Sequence, residues 1–269
     1  MLHVLGLPTD INSSFLRGPA LAPPRIRLMH TQGSANASAE DGTLISWPGV
    51  LTDLGDLTLD SANPEYVHQR IREAARAHLR QGGRLICLGG DHSISFPVID
   101  EHAVVHPGLH VLHFDAHGDL YQDFDGNRYS HASPFARLME TGRIASLTQI
   151  GIRTLTAHQR EQSARYGVRT VEMKDFHSGT LPSLDGPLYI SVDLDVLDPG
   201  FAPGVSHHEP GGMSTRELLQ CIQQVAVPIA GADLVEYNPA RDVHDMTAMV
   251  GYKVLKELAA AMLRHPIIH

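Results

Sequence analysis

The chain has 269 residues, 42% of them hydrophobic, and 21 basic against 30 acidic side chains give a formal charge of -9. That length and apolar share predict one domain over 1–269. The acidic balance leaves no basic stripe for a phosphate backbone, which excludes nucleic acid as a partner and favours a small cation. Cys87 and Cys221, the only cysteines, sit in apolar runs, which argues against a disulfide framework or a thiolate zinc site and points to a reducing compartment.

The opening "MLHVLGLPTD" reads as a strand and turn, without the basic start and long apolar region of a signal peptide. No apolar run is long enough for a membrane span, so no membrane partner and a cytoplasmic location are expected. "PPRIRLMH" opens a helix with proline in its first turn, and residues 31–44 are a polar loop. "NPEYVHQRIREAARAHLRQGG" is a helix stopped by glycine. Strands follow at "RLICLGG", "GLHVLHFDA", "LTQIGIR", "VRTVEM" and "PLYISVDLD". "STRELLQCIQQVA" is a helix capped by serine with glutamate three residues on. "PIAGADLVEYN" is the last strand, and "DMTAMVGYKVLKELAAAMLRH" a long amphipathic helix that closes the sheet from one side. The alternation predicts an α/β fold of three layers, with a mostly parallel sheet of about eight strands and helices on both faces.

In such sheets ligands gather beyond the carboxyl ends of the strands. Three predicted strand tips carry metal-type side chains: His92 after a Gly-Gly turn, Asp115, His117 and Asp119 in "DAHGD", and Asp193 and Asp195 in "SVDLD". Residues two apart on an extended segment share a side, so each group presents its ligands together. Like charges this close repel unless a cation lies between them. Four aspartates and two histidines without a thiolate suit two divalent ions, manganese above zinc, with Asp115 and Asp193 placed to bridge them.

"GGDHS" at 89–93, "DAHGD" at 115–119 and "SVDLDVLDP" at 191–199 resemble the signature blocks of the ureohydrolases, the arginases, agmatinases and their relatives. The stretches between them, such as "GNRYSHASPFARLME" and "FAPGVSHHEPGG", look closest to the plant-type arginase branch. The resemblance implies an arginase-like fold and two Mn2+ per subunit. His92, Asp115, Asp119 and Asp193 would hold one ion, and His117, Asp115, Asp193 and Asp195 the other. It also implies that Asp119 orients the attacking hydroxide, that His131 shuttles protons, and that Glu236 pairs with a small cationic guanidino substrate. Asn127 and Ser130 stand where hydrogen bonds to the substrate tail are expected. Thr156 occupies the position at which animal-type arginases carry an acid for the α-amino group. L-Arginine is then the expected substrate and agmatine the alternative. A single-zinc deacetylase and a silent metal-binding subunit are the remaining alternatives. A homo-oligomer, trimer or hexamer, is also implied.

Overall fold

The computed structural model describes residues 2–177 and 181–267. Its strands are β1 (Leu2–Leu7), β2 (Leu51–Asp56), β3 (Arg84–Gly89), β4 (His110–Phe114), β5 (Ser146–Ile152), β6 (Arg169–Glu172), β7 (Leu188–Asp193) and β8 (Ile229–Val235). They form one sheet in the order β2-β1-β3-β8-β7-β4-β5-β6. Every strand pairing is parallel, so the expected sheet is entirely and not merely mostly parallel. β2 was not predicted. It is an edge strand of "LTDLGD" with one neighbour and only Leu51 buried, so its sequence lacks the apolar run of an inner strand.

The helices are α1 (Ala22–Thr31), α2 (Pro64–Leu79), α3 (Ser95–Val105), α4 (Pro134–Thr141), α5 (Ala157–Tyr166), α6 (Thr215–Gln224) and α7 (Met246–Arg264). Asn63 caps α2 by accepting from the amides of Glu65 and Tyr66, and Val67, Ile71, Ala75 and Leu79 recur every four residues to bury one stripe. α6 carries the expected reciprocal cap, the Ser214 hydroxyl accepting from the Glu217 amide while Glu217 accepts from the Ser214 amide.

Two apolar clusters lie on opposite faces of the sheet. α1, α6 and α7 cover one, through residues such as Ile26, Leu218 and Tyr252; α2, α3 and α4 cover the other, through Ile71, Ile99 and Phe135. Cys221 lies in the first cluster and Cys87 in the second, both unpaired, and burial above all pushes the Cys221 thiol up to about 12. They are core residues, as expected.

α3 escaped prediction because residues 95–103 are buried all round and show no polar face. Its acids are neutralised from outside, Asp100 by Arg72 and Arg143 and Glu101 by Arg76. α5 is almost wholly polar and owes its start to a capping box between Thr156 and Gln159.

The loop after β3 packs against the end of β1: the Asp91 amide donates to the Thr9 carbonyl at 2.9 Å, and the Gly90 amide to Leu7 at 3.1 Å. A Cβ on Gly90 would lie 1.7 Å from the Thr9 carbonyl oxygen, a backbone atom that cannot swing away. Gly90→Ala is therefore expected to destabilise the fold by at least about 1–3 kcal/mol, the range for forced overpacking. Urea unfolding would measure it, and an unchanged midpoint would show that the two loops separate easily.

Candidate metal centre

The four central strands, β3, β8, β7 and β4, end beside one another, and their tips supply the buried polar side chains. After β3, Asp91 pins the turn: its carboxylate accepts from the Ser93 and Asn12 amides at 3.1 and 3.0 Å. Those bonds deliver His92 inward, where it is fully buried. Burial first, then the charge of Glu236, raise the Asp91 carboxyl to about 6.

His92 Nδ1 faces Asp115 Oδ2 at 3.2 Å, Asp119 Oδ2 at 3.0 Å and Asp193 Oδ2 at 3.1 Å. His117 Nδ1 lies 3.3 Å from Asp115 Oδ1 and 3.0 Å from Asp195 Oδ2. Asp115 thus turns one oxygen to each group, and all six residues named from spacing converge.

The route differs from the expected one. The strand β4 stops at Phe114, and residues 115–119 are not extended; Asp119 has a φ of 48°, the left-handed region that a non-glycine residue adopts at a cost. The three side chains meet because this segment bends around the site, and not because alternate residues of a strand share a face.

His92 Nε2 hydrogen-bonds the Ser191 hydroxyl at 3.0 Å, which itself donates to Asp233 at 2.6 Å. With Ser191 donating onward, Nε2 carries the proton and Nδ1 presents its lone pair to the three carboxylates. His92 Nδ1 is buried and satisfied by no hydrogen bond, which fits a nitrogen placed to ligate a cation. The neighbouring charges say the same. Burial, then the charges of Asp195 and Asp115, push Asp193 well above the usual carboxylate range, a penalty that a bound cation removes.

His113 was not singled out from the sequence, yet it lies against the cluster, its Nε2 2.8 Å from Asp115 Oδ2. Its Nδ1 accepts from the Gln149 side-chain amide at 3.1 Å, so Nε2 is the protonated nitrogen and donates to Asp115. It orients a carboxylate and has no lone pair left for a metal. The phenyl ring of Phe135 lies over it at 4.0 Å.

His131 and Glu236 line the same cavity, of about 180 Å³, with His117, Asp119, Asp193 and Asp195. Glu236 follows β8 with a φ of 63°, and its Oε1 accepts from the His92 amide and from His131 Nδ1, each at 2.8 Å. Its Oε2 is buried and has no hydrogen-bond partner. On its other side His131 Nε2 meets the Ser14 hydroxyl at 2.8 Å. Burial opposes the imidazolium, but the Glu236 carboxylate overrides it and raises His131 to about 9.

Asn127 and Ser130 do not line this cavity. The Asn127 amide donates to Asn12 at 3.1 Å and its carbonyl oxygen accepts from the Tyr129 amide, while the Ser130 hydroxyl accepts from the Ala132 amide. They shape the loop that carries His131. Thr156 serves as the cap of α5. Lining residues that the sequence did not single out include Ser14, Tyr121, Phe124, Thr154, Gln159 and Glu209; they come from separate loops and a helix, and no local motif marks them. His207 also lines the cavity, and its ring packs 5.5 Å from that of His131.

A family model described as "Arginase family" matches residues 1–261. The mitochondrial arginase 1 of Arabidopsis thaliana is 45% identical over 273 residues, which cover 96% of this chain and 80% of that protein. The N(1)-aminopropylagmatine ureohydrolase of Thermus thermophilus is 34% identical over 286 residues, covering 99% and 94%. The solved arginase from Medicago truncatula superposes with a TM-score of 0.93 at 43% identity, over 97% of this chain and 87% of that one. These relatives correct the expected cytoplasmic location, because the plant proteins are named as mitochondrial or chloroplastic and point to an organelle. Organelle addresses are carried by removable, separately read segments, so the composition of a folded domain is silent on them.

Two measurements test this geometry. Adding Mn2+ to metal-free protein is expected to raise its unfolding temperature, by the equivalent of about 2.7 kcal/mol at a hundredfold excess over Kd. Asp115→Asn should remove most of that gain, and a variant that kept it would show the ion binding elsewhere. In the metal-free protein an NMR titration of His131 should have its midpoint near 9. A folded value above the ordinary 6.5 means that the contact with Glu236 stabilises the fold fully below pH 6.5 and is lost as pH rises through about 9. Glu236→Gln should return the midpoint toward 6.5; a normal value in the parent would mean that the pair does not form.

Proposed function

The chain belongs to the arginase family, and from that premise we propose that it hydrolyses L-arginine to L-ornithine and urea at a pair of Mn2+ ions. The observation that carries this reading is the convergence of His92, Asp115, Asp119 and Asp193 on one point and of His117, Asp115 and Asp195 on another, in the same cavity as His131 and Glu236. The first four residues would hold one ion; His117, Asp115, Asp193 and Asp195 would hold the other. When bound, the pair supplies hydroxide near neutral pH and offsets the charge of the four carboxylates.

The chain's own residues do the rest. A guanidinium carbon is a poor electrophile and must be held with its face toward the nucleophile. Glu236 is suited to hold it, because its Oε2 is buried without a hydrogen bond and is the open acceptor for a guanidinium N–H. Asp119, at the cavity wall, accepts a hydrogen bond from the nucleophile and so orients it. The departing amine needs a proton, and His131 holds one on Nδ1 against Glu236. Its other nitrogen meets Ser14, which ties the imidazole to the loop after β1. Asn127 and Ser130, assigned to substrate contact from their position in sequence, act through this loop.

Two histidine-carboxylate clusters that share Asp115 argue against a single-zinc deacetylase, and the His131–Glu236 pair, which neither cluster needs, argues against a silent subunit. Residues 1–269 act as one domain, supported by the single sheet that holds every strand. The chain assembles as a trimer or hexamer of itself, as the resemblance to the ureohydrolases implies.

Urea release from a panel of guanidines after manganese loading is expected to be fastest with L-arginine; turnover of agmatine alone would overturn that substrate. His131→Ala should lower turnover by roughly 10²–10⁴-fold while two ions per chain stay bound, as read by metal analysis. Native mass measurement should give a multiple of the 29.3 kDa chain.

A further inference from the structure

The proposed substrate carries a cation at its tail, and the acid that animal-type arginases place there is Thr156 in this chain, engaged in capping α5. The cavity holds another candidate. Among the described residues five acids line it: Asp119, Asp193 and Asp195 belong to the clusters, Glu236 pairs with His131, and Glu209 is left over. Among the described residues the Glu209 carboxylate makes neither a hydrogen bond nor an ion pair; the residue is held instead through its backbone carbonyl.

That hold is firm. Arg153, at the end of β5, donates to the Glu209 carbonyl from Nε at 3.0 Å and from Nη2 at 2.6 Å. The same guanidinium reaches the carbonyls of Asp195 at 2.7 Å and Gly151 at 3.1 Å. Gly212, three residues beyond Glu209, has no room for a side chain, since a Cβ there would lie 2.7 Å from Arg153 Nη2 and 2.6 Å from the Val196 carbonyl oxygen. Two residues before Glu209, the ring of His207 packs between those of His131 and His117, at 5.5 and 5.7 Å. The loop is thus fixed at both ends against the candidate metal centre, and it brings Glu209 into the cavity lining. Among the described residues no lysine or arginine lines the cavity, and its uncharged polar lining includes Tyr121 and Gln159.

We propose that Glu209 is the specificity residue for the substrate's tail: its carboxylate receives the α-ammonium of an amino-acid substrate, replacing the acid missing at Thr156. This rests on the ureohydrolase reading, but it makes its own prediction, because binding of the product amine needs no hydrolysis. Arg153 grips the backbone, so a side-chain change at Glu209 leaves the loop in place.

The test is calorimetric binding to the manganese-loaded protein of L-ornithine and of 5-aminopentanoate, which keeps the carboxylate and the far amine but lacks the α-amino group. A charge-assisted hydrogen bond is expected to favour L-ornithine by about ten- to hundredfold. Glu209→Gln should reduce that preference to about threefold or less, and Glu209→Asp should restore part of it. Equal binding of both ligands by the parent, or a full preference kept by Glu209→Gln, would overturn the assignment. Absence of urea from every guanidine would instead sink the hydrolytic reading, and the binding comparison would still decide the role of Glu209.

Discussion

Everything in this molecule is arranged around a repulsion. Four aspartates, each no more than 6% exposed, are gathered with two histidines at the centre of one sheet edge. In isolation such a cluster is costly, since buried carboxylates at contact distance cannot all ionise. The fold tolerates it because the four inner strands are anchored by two large apolar clusters, one on each face, and because cations are the natural neutralising partner. Stability is made in the layers and used at the strand ends, where the backbone stops pairing and side chains are free to converge.

The second feature is how strongly each of these side chains is held from behind. His92 leans on Ser191 and Asp233, Asp115 on His113 and Gln149, and Glu236 on the His92 amide. Such supporting contacts set the tautomer and direction of the groups in front of them. Two of the front-line residues, Asp119 and Glu236, also sit in the left-handed backbone region. Both are immobilised further, Asp119 by its carbonyl accepting from Phe135 and Glu236 by its amide donating to Gly90. Local strain of this kind persists only where the surroundings over-determine it.

The third feature is a division of labour within the cavity. Some lining residues gather fixed negative charge, two pair an imidazole with a carboxylate, and others come from loops that the sheet alone does not specify. The plant arginases and the aminopropylagmatine enzyme are similar to this chain along most of its length but are named for different substrates. Thr156 caps α5 and does not line the cavity, whereas Glu209 does.

Much of this was determined by the sequence alone. Alternating apolar runs and amphipathic helices announce a parallel α/β sheet, because burial on both faces demands continuous apolar strands. The blocks around His92, Asp115 and Asp193 announce a cation site, because so many acids in apolar runs need a counter-charge. Only the tertiary structure decided the rest. β2 and α3 were hidden, one too exposed and the other too buried to show a period. His113 looked like a strand residue until Gln149, 36 positions away, fixed its proton. Asp119 arrives by a bend and not by alternation. Asn127 and Ser130 turned out to support a loop, while Glu209 reached the cavity through Arg153. Hydrogen bonds and close approach between distant segments make these assignments, and no local pattern of residues encodes them.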